Sequence, residues 1–233
     1  MPNQATHEAA ALPPATLVPI DGKSLPGQLV IPPSPIGLAL VARLEHGGPA
    51  SGAYEAIARA FVDKGFASFL VALDAANDAG ASAPAGWLRG DVALISERIG
   101  AVIRWAAADT RIAGLPFGLF GVDTVAAAAL VVASNDPPHL AAVVGCNART
   151  DLVDRVLGKI AVPTLLIAGT RATDVLAANR VALEELRCEK RMVIAAGNLK
   201  ESLQGRGARK VGNLAARWLD RHVARRIPSR PVR

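Results

Sequence analysis

The stretch Phe117-Gly-Leu-Phe-Gly-Val-Asp-Thr-Val-Ala-Ala-Ala-Ala-Leu130 is where residue types and spacing in this 233-residue chain point to chemistry. A short apolar strand, Phe117–Phe120, runs through Gly121 straight into a helix of small residues that continues to Ala133. A strand that turns directly into a helix through a glycine displays the residue at the turn on a strained backbone. That residue is Asp123. A carboxylate so displayed has two chemical uses. It attacks an electrophilic carbon, which then requires a histidine to activate water against the ester formed, or it orients and charges an imidazole that acts as the base. The structural alternative is that aspartate tolerates a positive φ better than most residues and occupies a tight turn with no chemical role.

The elements that must position Asp123 follow from hydrophobic periodicity. Thr16–Ile20 and Gln28–Ile31 flank an Asp-Gly turn and read as an antiparallel pair. Leu38–Leu44, Phe66–Leu73, Leu140–Val144, Thr164–Ala168 and Met192–Ala195 are short apolar runs of the kind buried on both faces. Between them lie amphipathic helical patterns over 53–64, 91–108, 176–186 and around Val211–His222, in which Val211, Leu214, Ala215, Trp218, Leu219 and His222 keep the 3.6-residue period. Alternating strands and helices predict an α/β domain of about eight strands, mostly parallel, with helices on both faces. Ligands of such sheets bind beyond the C-terminal strand ends. Residues 1–14 read as a disordered lead-in, 15–222 as one domain and 223–233 as a basic tail.

The strand ends supply few partners for Asp123. His46 follows the run Leu38–Leu44 at a neighbouring strand end, which makes an Asp123–His46 dyad the one histidine-based pair available. Asp174 fits a solvated loop carboxylate or a helix N-cap. Cys146 has no histidine placed to form a thiolate pair and reads as a small buried hydrophobe. His222 lies on the apolar side of the last helix and faces the core. Gly47-Gly48 and Gly205-Arg206-Gly207 lack the frame of a phosphate loop. Glu45, His7 and His139 offer no metal-ligand spacing, so neither a metal nor a cofactor is expected.

Taken in order, the strand leading to His46-Gly47, the Gly-Leu-Phe-Gly strand at 118–121, the run Ala161–Gly169 and the C-terminal strand and helix resemble the dienelactone-hydrolase-like branch of the α/β-hydrolases. The resemblance runs from about Gln28 to His222. It implies an α/β-hydrolase fold and places the family's catalytic triad at Asp123 (nucleophile), Ala172 (acid) and Asn198 (histidine), with the second elbow glycine at Val125. All three triad positions are substituted. Nucleophilic hydrolysis needs a base within hydrogen-bond reach and an acid to orient it. The expectation is a catalytically inactive pseudo-hydrolase that binds a small molecule or a protein partner in a cleft formed by His46, Gly47, Gly48, Val122, Asp123 and Thr124. The alternative is a non-standard hydrolase of small esters or lactones that uses Asp123 with His46.

Composition narrows the remaining classes. The chain is 51% hydrophobic and 20% charged, as globular proteins are. Its longest apolar run, Val125–Ala133, falls far short of the roughly 20 residues that span a bilayer. No basic stretch followed by an apolar run opens the chain, and two cysteines give no disulfide framework, so a cytoplasmic location is expected. The net charge is +6, of which +5 comes from Arg221, Arg225, Arg226, Arg230 and Arg233 at the end of the chain. The body is nearly neutral, and nucleic acid or anionic membrane enters only through that tail. An edge strand or the last helix leaves room for a homodimer.

Overall fold

The computed structural model describes residues 15–20, 22–44, 51–74, 88–197 and 203–223, with 88–90 described by backbone alone. Eight strands form a single sheet: β1 (Thr16–Ile20), β2 (Lys23–Val30), β3 (Leu38–Arg43), β4 (Ala67–Ala72), β5 (Phe117–Val122), β6 (Leu140–Cys146), β7 (Thr164–Gly169) and β8 (Lys190–Ala195). Their spatial order is β1-β2-β4-β3-β5-β6-β7-β8. β1 and β2 pair antiparallel, with Thr16 opposite Gly27, and β2 also runs antiparallel to β4. Every other pairing is parallel. The antiparallel opening at one edge and the parallel remainder agree with the hydrophobic pattern.

The helices are α1 (Ser51–Val62), α2 (Leu88–Ala108), α3 (Thr124–Ser134), α4 (Asp154–Leu157), α5 (Thr173–Glu185) and α6 (Arg206–Val223), with a 3-10 turn over Thr150–Leu152. The sequence pattern alone does not separate α4 or the 3-10 turn from loop. A helix of four residues shows barely one turn of periodicity, so its apolar spacing carries no signal.

Strand side chains alternate between two cores, as the period of two demands. Leu38, Leu40 and Ala42 of β3 join Phe69, Leu119, Val143 and Leu166 beneath α2, α3 and α5. Ala39 and Val41 face the other way, with Phe120, Val144, Leu165 and Ile167 under α1 and α6. In that second layer Phe61 meets Phe66 and Phe120 edge-on, at ring separations of 6.2 and 6.4 Å. Of the three tryptophans, Trp105 lies against Phe69 at 4.8 Å and Trp218 is buried in α6. Trp87 lies outside the described residues.

Helices α1 and α6 touch through their backbones. A Cβ on Gly212 would come within 2.8 Å of the Ala60 Cβ and 3.0 Å of the Ile57 Cα. Neither atom belongs to the flexible end of a side chain, so the helix pair has nowhere to yield. Gly212→Val is expected to cost about 1–3 kcal/mol, despite the better helix propensity of valine. Urea unfolding of the variant checks this through a lowered midpoint at unchanged slope.

Candidate active site

Ligands of parallel sheets bind beyond the C-terminal strand ends, and β5 ends at the turn into α3. Gly121 makes that turn possible. A Cβ there would lie 2.8 Å from the Ala126 nitrogen and 2.9 Å from the Val125 carbonyl carbon, both backbone atoms. Ala126, Ala127, Ala128 and Ala129 are fully buried and let α3 lie close to the sheet. Val125 is also buried and packs into the α2-side core, so the turn closes without a glycine at that position.

The cost of so tight a turn falls on Asp123, whose backbone is at φ 52°, ψ −119°. The positive φ matches the expectation from sequence. The ψ does not belong to the left-handed region near +47°, which is the conformation aspartate tolerates. Tolerance of a left-handed turn therefore does not account for Asp123. A non-glycine residue in so sparsely populated a region stores on the order of 1–3 kcal/mol and persists only because its surroundings over-determine it. Those surroundings are hydrogen bonds at both ends. The Asp123 amide donates to the Cys146 carbonyl at 2.9 Å, and its own carbonyl accepts from Ala127 at 3.2 Å and Arg149 at 3.4 Å.

Two groups near enough to feel the Asp123 charge keep their protons. Tyr54, on α1, is almost wholly buried, and burial first and the Asp123 charge second push its phenol far above the ordinary range. The Cys146 thiol is raised by the same two causes in the same order. A thiol held protonated and out of reach of solvent is no nucleophile, so Cys146 is the buried hydrophobe its sequence context suggested. Tyr54 was legible only as part of an apolar helix face, because nothing in sequence brings α1 over the end of β5.

Polar side chains brace the neighbouring strand ends. Asn147 has a positive φ of 44°, its amide donates to the Ile167 carbonyl at 2.7 Å, and its Oδ1 accepts from the Gly169 amide at 3.0 Å. Asn179, fully buried on α5, donates to the Ala148 and Val175 carbonyls at 2.6 and 2.7 Å. The Gly197 amide donates to Thr170 Oγ1 at 2.8 Å, and Arg171 donates to the Gly197 carbonyl at 3.1 Å, which ties the loop after β7 to the loop after β8. An asparagine directly after an apolar strand run is a readable hint of a left-handed turn. Asn179, in mid-helix, gives no such hint.

The other sequence candidates fall as follows. Ala172 is the N-cap residue of α5 and makes no side-chain cap. Asp174 lies inside the first turn of α5 and is exposed, so it is not the N-cap. Thr124 opens α3 and is half-buried, while the Val122 side chain is buried in the α1/α6-side core and offers the cleft no side chain. His46, Gly47, Gly48 and Asn198 lie outside the described residues. His222 is buried edge-on against Trp218 at 4.5 Å, with Nε2 3.7 Å from a Glu189 carboxylate oxygen. Glu189 precedes β8, at the opposite end of the parallel sheet from Asp123. His222 therefore cannot serve Asp123.

A separate cavity of about 130 Å³ opens beside the ends of β3 and β4, lined by Gln28, Arg43, Ser51, Glu55, Leu70 and Ala72 among others. Asp123 does not line it, and its volume admits a fragment rather than the 300–1,000 Å³ of a drug-sized ligand. Among the described residues no cluster of three or more His, Cys, Asp or Glu could hold a metal ion, and no helix is long and apolar enough to cross a membrane.

The eight-stranded order, the strand-to-helix elbow and the α1/α6 layer opposite α2, α3 and α5 define an α/β-hydrolase fold. The structure matches the crystal structure of dienelactone hydrolase from Anabaena variabilis ATCC 29413 with a TM-score of 0.80 and 30% sequence identity, over 89% of this chain and 96% of that one. The chain belongs to the dienelactone hydrolase family of the α/β-hydrolases. The esterase domain of a Rhodothermus marinus protein shares the fold at a TM-score of 0.69 and 20% identity, over 90% of this chain and 99% of that one. A curated relative from Mycobacterium tuberculosis (strain H37Rv), named "Putative phosphoribosyl transferase", is 31% identical over 205 residues, or 87% of this chain. The chain spans only 45% of that relative's length. No family model matches the chain.

Two measurements test this site. In the unfolded chain a thiol and a phenol lose their protons near pH 8.5 and 10, while Cys146 and Tyr54 hold theirs in the fold. From about pH 8, as the unfolded thiol begins to ionise, the unfolded state then binds fewer protons, so their contribution is intact below that pH and lost as pH rises, at up to about 1.4 kcal/mol per pH unit for each group. Urea midpoints between about pH 8 and 11 should fall, and Cys146→Ala should remove the part that begins at the lower pH. In addition, Asp123→Gly should raise stability by about 1 kcal/mol, because glycine adopts φ 52°, ψ −119° without strain.

Proposed function

We propose that this chain is a non-catalytic member of its family, which binds a small ligand around Asp123 at the strand ends and does not hydrolyse esters through a triad. The observation that carries this reading is the strained, displayed backbone of Asp123 at φ 52°, ψ −119°. The elbow is intact but presents a carboxylate where the family presents a serine or cysteine. The family's acid position, Ala172, carries a methyl group at the N-cap of α5. Without an acid to orient a base, the proton transfer that nucleophilic acyl chemistry needs has no path. An ionised carboxylate only accepts hydrogen bonds, so the ligand offers donors, from hydroxyl, amide or ammonium groups.

Strain kept at a carboxylate also favours a second reading, a hydrolase of small esters or lactones in which Asp123 acts with His46. Phosphoribosyl transfer is not carried over from the mycobacterial relative. This chain spans less than half of that protein, and neither Gly47-Gly48 nor Gly205-Arg206-Gly207 has the sequence frame of a phosphate loop.

Turnover of p-nitrophenyl acetate separates the two readings. The purified chain should release p-nitrophenol no faster than buffer. Turnover that disappears in both Asp123→Asn and His46→Ala, with the fold retained by circular dichroism, would overturn the non-catalytic reading and establish the dyad.

A further inference from the structure

The near-neutral charge of the protein body hides a local asymmetry on α6. Six of its residues, Arg206, Arg209, Lys210, Arg217, Asp220 and Arg221, are exposed and ionisable, and Asp220 is the only acid in the helix. At 100° per residue, Arg206, Lys210, Arg217 and Arg221 fall within a sector of about 60° and extend about 22 Å along the axis. Arg209 lies to one side and pairs with Asp63 of α1 at 3.3 Å. Among the described residues none of the four stripe cations has a carboxylate within ion-pair distance. Beyond the helix the sequence adds Arg225, Arg226, Arg230 and Arg233 with no acid between them.

We infer that this stripe is a docking surface for the phosphate backbone of nucleic acid, bound without regard to base sequence. Charge complementarity supports it, and two features of α6 set other anionic surfaces aside. A helix that lies on a membrane inserts its apolar face, but Val211, Ala215, Trp218 and Leu219 are already buried against the rest of the protein. A protein interface is anchored by exposed apolar side chains, and the exposed large hydrophobics among the described residues (Leu17, Val30, Ile36, Leu94, Val181 and Ile194) all lie off α6. A polyphosphate requires neither. Its affinity comes from counterions released as Arg and Lys neutralise phosphates, and Arg suits the phosphate oxygens through its planar fork. Trp218, the aromatic residue of α6, is buried and unavailable for stacking on bases. The site lies on the outer surface of α6 and is independent of Asp123.

Fluorescence anisotropy of a labelled, mixed-sequence duplex of about 20 base pairs tests the surface with the full chain. Binding in the micromolar range at low salt is expected, unchanged by duplex sequence. Log K should fall with log salt at a slope of about −3 to −4 from the stripe and more steeply if the tail arginines join. Replacing Arg206, Lys210, Arg217 and Arg221 together by Glu should weaken binding at least tenfold. The same four replaced by Gln give an independent reading should charge reversal perturb the fold, with circular dichroism as control. Replacing Arg225, Arg226, Arg230 and Arg233 by Gln should flatten the slope and leave duplex binding in place. The inference is overturned by absent binding at low salt, by equal binding of the stripe variants, or by binding that disappears only with the tail arginines. Preference for phosphatidylserine vesicles over duplex overturns it as well.

Discussion

The approach of α3 to the sheet at Gly121 is the constraint on which the rest of the site depends. The missing Cβ lets the backbone of Val125 and Ala126 sit where any side chain would collide. With the helix held that close, the chain has one residue, Asp123, in which to reverse from extended to helical geometry. That residue takes a conformation few non-glycine residues adopt. The hydrogen bonds from Asp123 to Cys146 and from Arg149 to Asp123 then carry the constraint sideways into β6. The same geometry that strains Asp123 also sets it at the C-terminal end of β5, so its placement and its strain share one cause.

Charge and burial around the elbow work in one direction. Asp123 is half-buried, and its charge, added to the desolvation of Tyr54 and Cys146, keeps both of those groups neutral. Tyr54 and Cys146 therefore stay uncharged beside the Asp123 carboxylate, whose charge also acts on the Arg149 guanidinium. Asn147, Asn179 and Thr170 fix the surrounding loops through hydrogen bonds to the backbone, and Arg149 pairs with Asp151 in the loop after β6.

The charge distribution shows why a sum over the chain is a poor guide to a surface. Acids and bases cancel in the total, but the cations of α6 lie on one exposed face because its other face is committed to the core. Burial of one side of an amphipathic helix concentrates its polar residues on the other, and here those are almost all basic. Arg225, Arg226, Arg230 and Arg233 of the tail supply +4 of the total of +6. The folded helix sets the local field.

The sequence alone determined the fold class, because apolar runs of period two alternating with helices of period 3.6 admit few layer arrangements, and the Gly121 turn marked the presented residue. The ends of β1 and α3 were legible within a residue or two for the same reason, whereas β2 begins at Lys23, five residues before the expected Gln28. Local patterning does not reach across the fold, however. That Tyr54 of α1 feels the Asp123 charge, that Asn179 braces the loop after β6, and that His222 is held against Glu189 at the far end of the sheet depend on contacts between residues distant along the chain. The ψ of Asp123 was likewise beyond sequence: a turn residue shows that φ must be positive, but only the packing of α3 against the sheet decides which strained conformation it must hold.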